Sequence, residues 1–133
     1  MLPGSVTYRF STKDELLVAV MDRAVSEASA RVLEAIGGSD DPVERLRLGL
    51  RAHLRALLLR DNAMHLLLFD WRRLSAATQA RLTRARHRYE SIWDGLVYAA
   101  AAAGQLVEGL DLPLVRKFVF GAANSVALWY RDD

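Results

Sequence analysis

Apolar residues recur at helical spacing along almost the whole chain. Between Ser11 and Gly38, residues Leu16, Leu17, Val20, Ala24, Ala28, Val32, Leu33 and Ile36 share one broad face, while Asp22, Arg23, Glu27, Arg31 and Glu34 fall elsewhere. That pattern predicts an amphipathic helix of about six turns. Thr12 and Glu15 have the spacing of a capping box, and Gly37-Gly38 is expected to end the helix in left-handed conformations. A second helix is predicted after Ser39-Asp40-Asp41, with Pro42 in its first turn, running to about Arg60. Asp61-Asn62 interrupts, and AMHLLLFDWRRL then predicts a short apolar helix ending near Arg72 and Arg73. Ser75 is placed to cap a long helix from Ala76 to Ala103, with Leu82, Ala85, Tyr89, Ile92, Trp93, Leu96 and Ala100 inward and Gly104 closing it. The last predicted helix starts at Asp111 with Pro113 just inside and carries Val115, Phe118, Val119, Ala122, Val126 and Trp129. No segment alternates with period two for long enough to be a strand. The expected fold is all-α, about five or six packed helices.

Composition narrows this further. With 133 residues, 52% of them hydrophobic and 26% charged, the chain suits one core and one domain. A formal charge of only +2 argues weakly for nucleic acid by itself. The absence of cysteine removes disulfides, thiolate nucleophiles and Cys-ligated zinc. No apolar run approaches the roughly 18 residues of a membrane span, and MLPGSVTYRF lacks the plan of a secretory leader, so the cytoplasm is the expected compartment. Nucleophile-elbow, P-loop and dinucleotide glycine motifs are all missing, and no cofactor is expected. His53, His65 and His87 lie in different segments. Asp61 and His65 have helical metal-ligand spacing, but without further ligands no metal site is expected. Arg81, Arg84 and Arg88 fall opposite the Leu82, Tyr89 and Trp93 stripe, as a solvated face does.

The stretch PGSVTYRFSTKDELLVAV resembles the junction of the TetR (tetracycline-repressor-like) family, where a DNA recognition helix ends in an aromatic motif before the connecting helix. The family pattern is close to G-S-L-Y-Y-H-F-x-S-K-x-x-L. Gly4, Ser5, Tyr8, Phe10, Lys13 and Leu16 match it, Val6 stands for Leu, and Thr7 and Arg9 replace the commoner Tyr and His. Further along, FDWRRLSAATQARLTRARHRYESIW and GAANSVALWYRDD look like the C-terminal domain of a TetR subgroup that includes regulators of sterol and fatty-acid catabolism.

The resemblance implies a TetR-like helical bundle in which residues 1–12 are the end of a helix-turn-helix headpiece and residues 13–133 the ligand-binding and dimerising body. Members of the family carry about forty more residues before a segment like Pro3, forming two helices, and usually another helix after one like Trp129 to Asp133. A helix-turn-helix needs its first helix to buttress the second, so operator binding is expected only with those upstream helices in place. Tyr8 and Lys13 are then expected on phosphates, with Ser5 and Thr7 on base edges or backbone. The effector is expected among Met64, Leu67, Phe69, Trp71, Arg72, Tyr89, Trp93 and Asn124, an apolar lining with a few polar groups. Burial alone also explains such aromatic and Met positions. A hydrophobic effector with a polar or acidic end, such as an acyl-CoA or a sterol-derived thioester, fits that mixture. Val115, Phe118, Val119, Val126 and Trp129 are expected at a homodimer interface. The function implied is a ligand-responsive transcriptional regulator, a repressor. The alternatives are a headless variant that acts by forming heterodimers with a full-length relative and, less well supported, a small helical enzyme or carrier.

Overall fold

Helix α1, Lys13–Ile36, begins as the capping pattern predicts, with the Thr12 hydroxyl accepting from the Glu15 amide at 3.1 Å. The computed structural model describes residues 12–59 and 71–130. Of the residues singled out above, Gly4, Ser5, Val6, Thr7, Tyr8, Arg9, Phe10, Asp61, Met64, His65, Leu67 and Phe69 lie outside that range. The buried face of α1 is Val18, Met21, Ala24, Val25, Ala28, Val32 and Ile36. It is rotated from the expected stripe, for Val20 and Leu33 are exposed. Both assignments satisfy a helical period, and neighbouring helices decide between them. The end of α1 also differs from expectation. Gly37 is right-handed, with φ −66, and its amide bonds back to Leu33 and Glu34.

Helix α2, Pro42–Leu58, is capped by Asp41, which accepts from the Glu44 amide at 2.8 Å. Gln105, beyond the next long helix, clamps the same end by donating to Asp41 Oδ1 at 2.5 Å and accepting from the Val43 amide at 3.2 Å. A 3-10 turn, Trp71–Arg73, leads into α3, Ala76–Ala102, capped by Ser75. Gly104 ends α3 at φ +69, where its amide reaches Ala101 and the Gln105 amide reaches Ala100, the double bond of a Schellman motif. Helix α4, Leu112–Trp129, has Asp111 as its cap and Pro113 in its first turn. No strand occurs among the described residues.

Helices α1, α2 and α3 pack mutually, and α4 lies across α2 and α3. The core joins the α1 face to Leu57 of α2 and to Leu82, Ala85, Tyr89, Trp93 and Leu96 of α3. Phe120 and Ala127 of α4 pack against it. Gly49 lets α2 approach both neighbours, because a Cβ there would stand 3.3 Å from Ile36 Cγ2 and from Leu96 Cδ1. Gly49→Ala should therefore be near neutral, a helix-propensity gain of about 1 kcal/mol offsetting the squeeze. Gly49→Leu should cost about 1–3 kcal/mol by overpacking, read as a lowered urea midpoint. Equal midpoints for Ala and Leu would show that the contact is loose.

Candidate effector site

His53 is completely buried, 0% exposed, on the inner face of α2. A buried imidazole must satisfy two ring nitrogens, and here two other helices supply the partners. Nε2 lies 2.9 Å from Asn124 Oδ1 of α4, and Nδ1 lies 2.8 Å from the Tyr89 hydroxyl of α3. An amide oxygen only accepts, so Nε2 carries the proton and donates to Asn124, and Nδ1 accepts from Tyr89. The ring is neutral in this arrangement. Burial pushes the His53 pKa down, against a smaller upward pull from Asn124. Burial likewise raises the Tyr89 pKa, keeping the phenol protonated as a donor.

Aromatic rings box this polar knot. Phe120 stands 5.0 Å from the His53 ring centroid, and Trp93 meets His53 edge-on at 5.6 Å. Trp93 and Phe120 are 5.5 Å apart. The Trp93 indole is 2% exposed, and its Nε1 has no hydrogen-bond partner among the described residues. Its proximity to Tyr89 offsets a smaller part of the burial effect that raises the Tyr89 pKa. An unmet buried N–H costs about 1–3 kcal/mol, which makes it the group in this box with the most to gain from an acceptor.

Of the expected effector residues, Tyr89, Trp93 and Asn124 are brought together here. Trp71 and Arg72 are not. Trp71 is half-buried beneath the Arg86 guanidinium, 4.9 Å from its ring centroid, and Arg72 is exposed on the 3-10 turn. Arg86 also approaches Glu90 at 3.7 Å, and Arg116 of α4 pairs with Asp94 at 2.6 Å, fastening α4 to α3. His53 and Phe120 belong to the site but were not singled out for it from sequence. Their signals were Gly49, His53, Ala56 and Leu57 on one face of α2, and Phe120, Ala123, Asn124 and Ala127 on one face of α4.

Lys13 is exposed at the start of α1. On α4, Phe118 and Trp129 are exposed, while Val115, Val119 and Val126 are half-buried. Arg81, Arg84 and Arg88 are all exposed, as expected of a solvated face. Among the described residues no group of three metal-binding side chains occurs, and no helix is long and apolar enough to cross a membrane.

The described residues thus form an all-helical body with a long first helix, a mixed aromatic and polar box between α2, α3 and α4, and an exposed apolar face on α4. Residues 39–133 match the family described as tetracyclin repressor-like, C-terminal domain, and the chain belongs to that family. It is 23% identical over 131 residues to the fatty acid metabolism regulator protein of Bacillus subtilis (strain 168), covering 98% of this chain and 68% of that one. Among solved structures, superantigen PfiT superposes with a TM-score of 0.82 at 32% identity, covering 96% of this chain and 68% of that chain. AibR, solved with isovaleryl coenzyme A and operator DNA, gives 0.85 at 20% identity, covering 100% and 72%.

Proposed function

We propose that the body binds a mainly hydrophobic effector with a polar or acidic end, of the acyl-CoA class, and that an acceptor oxygen of that effector is received at Trp93 Nε1. The observation that carries this reading is the unpartnered, buried Trp93 N–H beside the ring box. Pockets take affinity from apolar burial and orientation from a few polar groups, and His53, Tyr89 and Asn124 supply the second kind. AibR was solved with a CoA thioester and operator DNA together, and the same two kinds of partner are proposed here.

Effector entering the box would tilt α1 and change how the DNA-contacting segment is presented. Operator affinity falls only as far as the effector prefers the tilted state. Ser5, Thr7, Tyr8 and Lys13 are proposed to meet the operator, and a second copy of the chain is proposed to cover α4. The chain is proposed as a repressor and not an enzyme, because His53, the buried base of the site, is already bonded at both nitrogens.

Thermal melts with acyl-CoAs of increasing chain length test the effector. A hundredfold excess over Kd should stabilise the body by about 2.7 kcal/mol. Trp93→Phe keeps a ring and removes the donor, and should weaken binding up to about tenfold. Melting temperatures unmoved by both acyl-CoAs and a lipid panel would make the box ordinary core.

A further inference from the structure

Two helix N-termini meet at one carboxylate. Asp14, in the first turn of α1, accepts at Oδ2 from the Ser75 hydroxyl at 2.7 Å and from the Thr78 hydroxyl at 2.9 Å. Ser75 is the N-cap of α3, and its own oxygen also accepts from the Thr78 amide at 3.3 Å. Helix N-termini each carry about half a positive charge, so bringing two together is unfavourable unless an anion lies between them. Asp14 is that anion. The Ser75 and Thr78 hydroxyls hold its carboxyl below the usual carboxylate range.

The contact lies at the N-terminal ends of α1 and α3, two helices that also pack against each other along their buried faces. Thr12 caps α1, and the residues directly before it in sequence are those of the recognition-helix motif, Gly4 to Phe10. On the other side, Thr78 begins the buried stripe of α3 that continues through Leu82 to Tyr89 and Trp93. Eleven residues separate Thr78 from Tyr89, about 16 Å along one unbroken helix. A shift of α3 driven from the ring box therefore arrives at Asp14.

We propose that Asp14 is a positioning residue, latched to Ser75 and Thr78, which fixes the angle at which the chain enters α1 and so sets the pose of the DNA-contacting segment from α3. This rests on the regulator reading above, but the latch itself is testable without DNA. The chain has no cysteine, so a spin-label pair introduced at Lys13→Cys and Arg84→Cys reports the distance between the start of α1 and α3 by double electron-electron resonance. One narrow distribution is expected. Asp14→Ala should broaden it, Ser75→Ala with Thr78→Val should broaden it equally, and the triple variant should add nothing, since one contact is lost in each case.

The functional arm measures operator binding by the regulator as encoded at its native locus, without spin labels. Removing a carboxylate near DNA strengthens binding if that carboxylate is merely solvated, because the phosphates repel it. The latch requires the opposite sign. Asp14→Ala should weaken binding about tenfold, inside the usual range of coupling between sites, with base preference unchanged and Asp14→Asn partly restoring it through its remaining acceptor oxygen. Stronger operator binding by Asp14→Ala, or a distance distribution as narrow as that of the parent, overturns the proposal. If the parent protein binds no operator, the regulator reading falls while the distance measurement still decides the latch.

Discussion

His53→Ala is expected to destabilise the body by about 3–5 kcal/mol, through a cavity plus stranded partners. The imidazole fills space among Tyr89, Trp93 and Phe120, and its removal leaves the Tyr89 hydroxyl and the Asn124 oxygen facing an apolar gap. For a chain of this size each kcal/mol moves the melting temperature by about 4 °C, so a drop of more than 10 °C is expected. The same residue gives stability a dependence on pH. Its pKa is lowered on folding, so the unfolded chain takes up the proton first as the solution is acidified. Its contribution is fully present above the unfolded value of 6.5 and is lost as pH falls from there toward the lower native pKa. His53→Gln should flatten the stability profile between about pH 5 and pH 6.5, where few carboxylates titrate. A profile equally steep with and without His53, or a melting temperature barely changed in His53→Ala, would show that the knot contributes little.

Where one helix decides its own structure, the sequence was legible. Thr12, Asp41, Ser75 and Asp111 each accept from an amide three residues on, the spacing that capping chemistry dictates. The α3 stripe from Leu82 to Ala100 also lies where its period puts it, because that helix packs against α1, α2 and α4 and must bury most of its apolar side. The buried face of α1 was harder to read, since Leu and Val also occupy its outer side and only α2 and α3 decide which of them is covered. Gly37 was misread for a related reason. Glycine permits the left-handed conformation without requiring it, and here the chain turns toward Asp41 with right-handed residues.

The site was half legible. Tyr89, Trp93 and Asn124 stood out as polar or aromatic residues inside apolar segments. His53 did not, because its meaning comes from a hydroxyl 36 residues and an amide 71 residues away along the chain. A single helix gives no sign of such partners. Arg72 was expected in the effector lining, yet it stands exposed on a 3-10 turn. Asp14 gave no signal in the sequence, because its partners lie 61 and 64 residues away.

Phe118→Arg is expected to convert a dimer into monomers. Leu114, Phe118 and Trp129 lie along the outer side of α4 at 62%, 76% and 65% exposure. Exposed apolar stripes of this kind mark interaction surfaces, and the dimer proposed above sets the stripe against its own copy across a two-fold axis. A central aromatic anchor contributes about 2 kcal/mol or more, and each two-fold interface contains it twice. The substitution should thus cost about 4 kcal/mol, roughly a thousandfold in dimer Kd. Val107→Arg is the control, for Val107 is the most exposed of the large apolar residues among those described but lies off the stripe, in the connection between α3 and α4. Sedimentation equilibrium should show the parent and Val107→Arg as dimers and Phe118→Arg as a monomer with an unchanged helical spectrum. A parent protein that sediments as a clean monomer, or a Phe118→Arg variant as dimeric as its parent, would remove α4 from the interface.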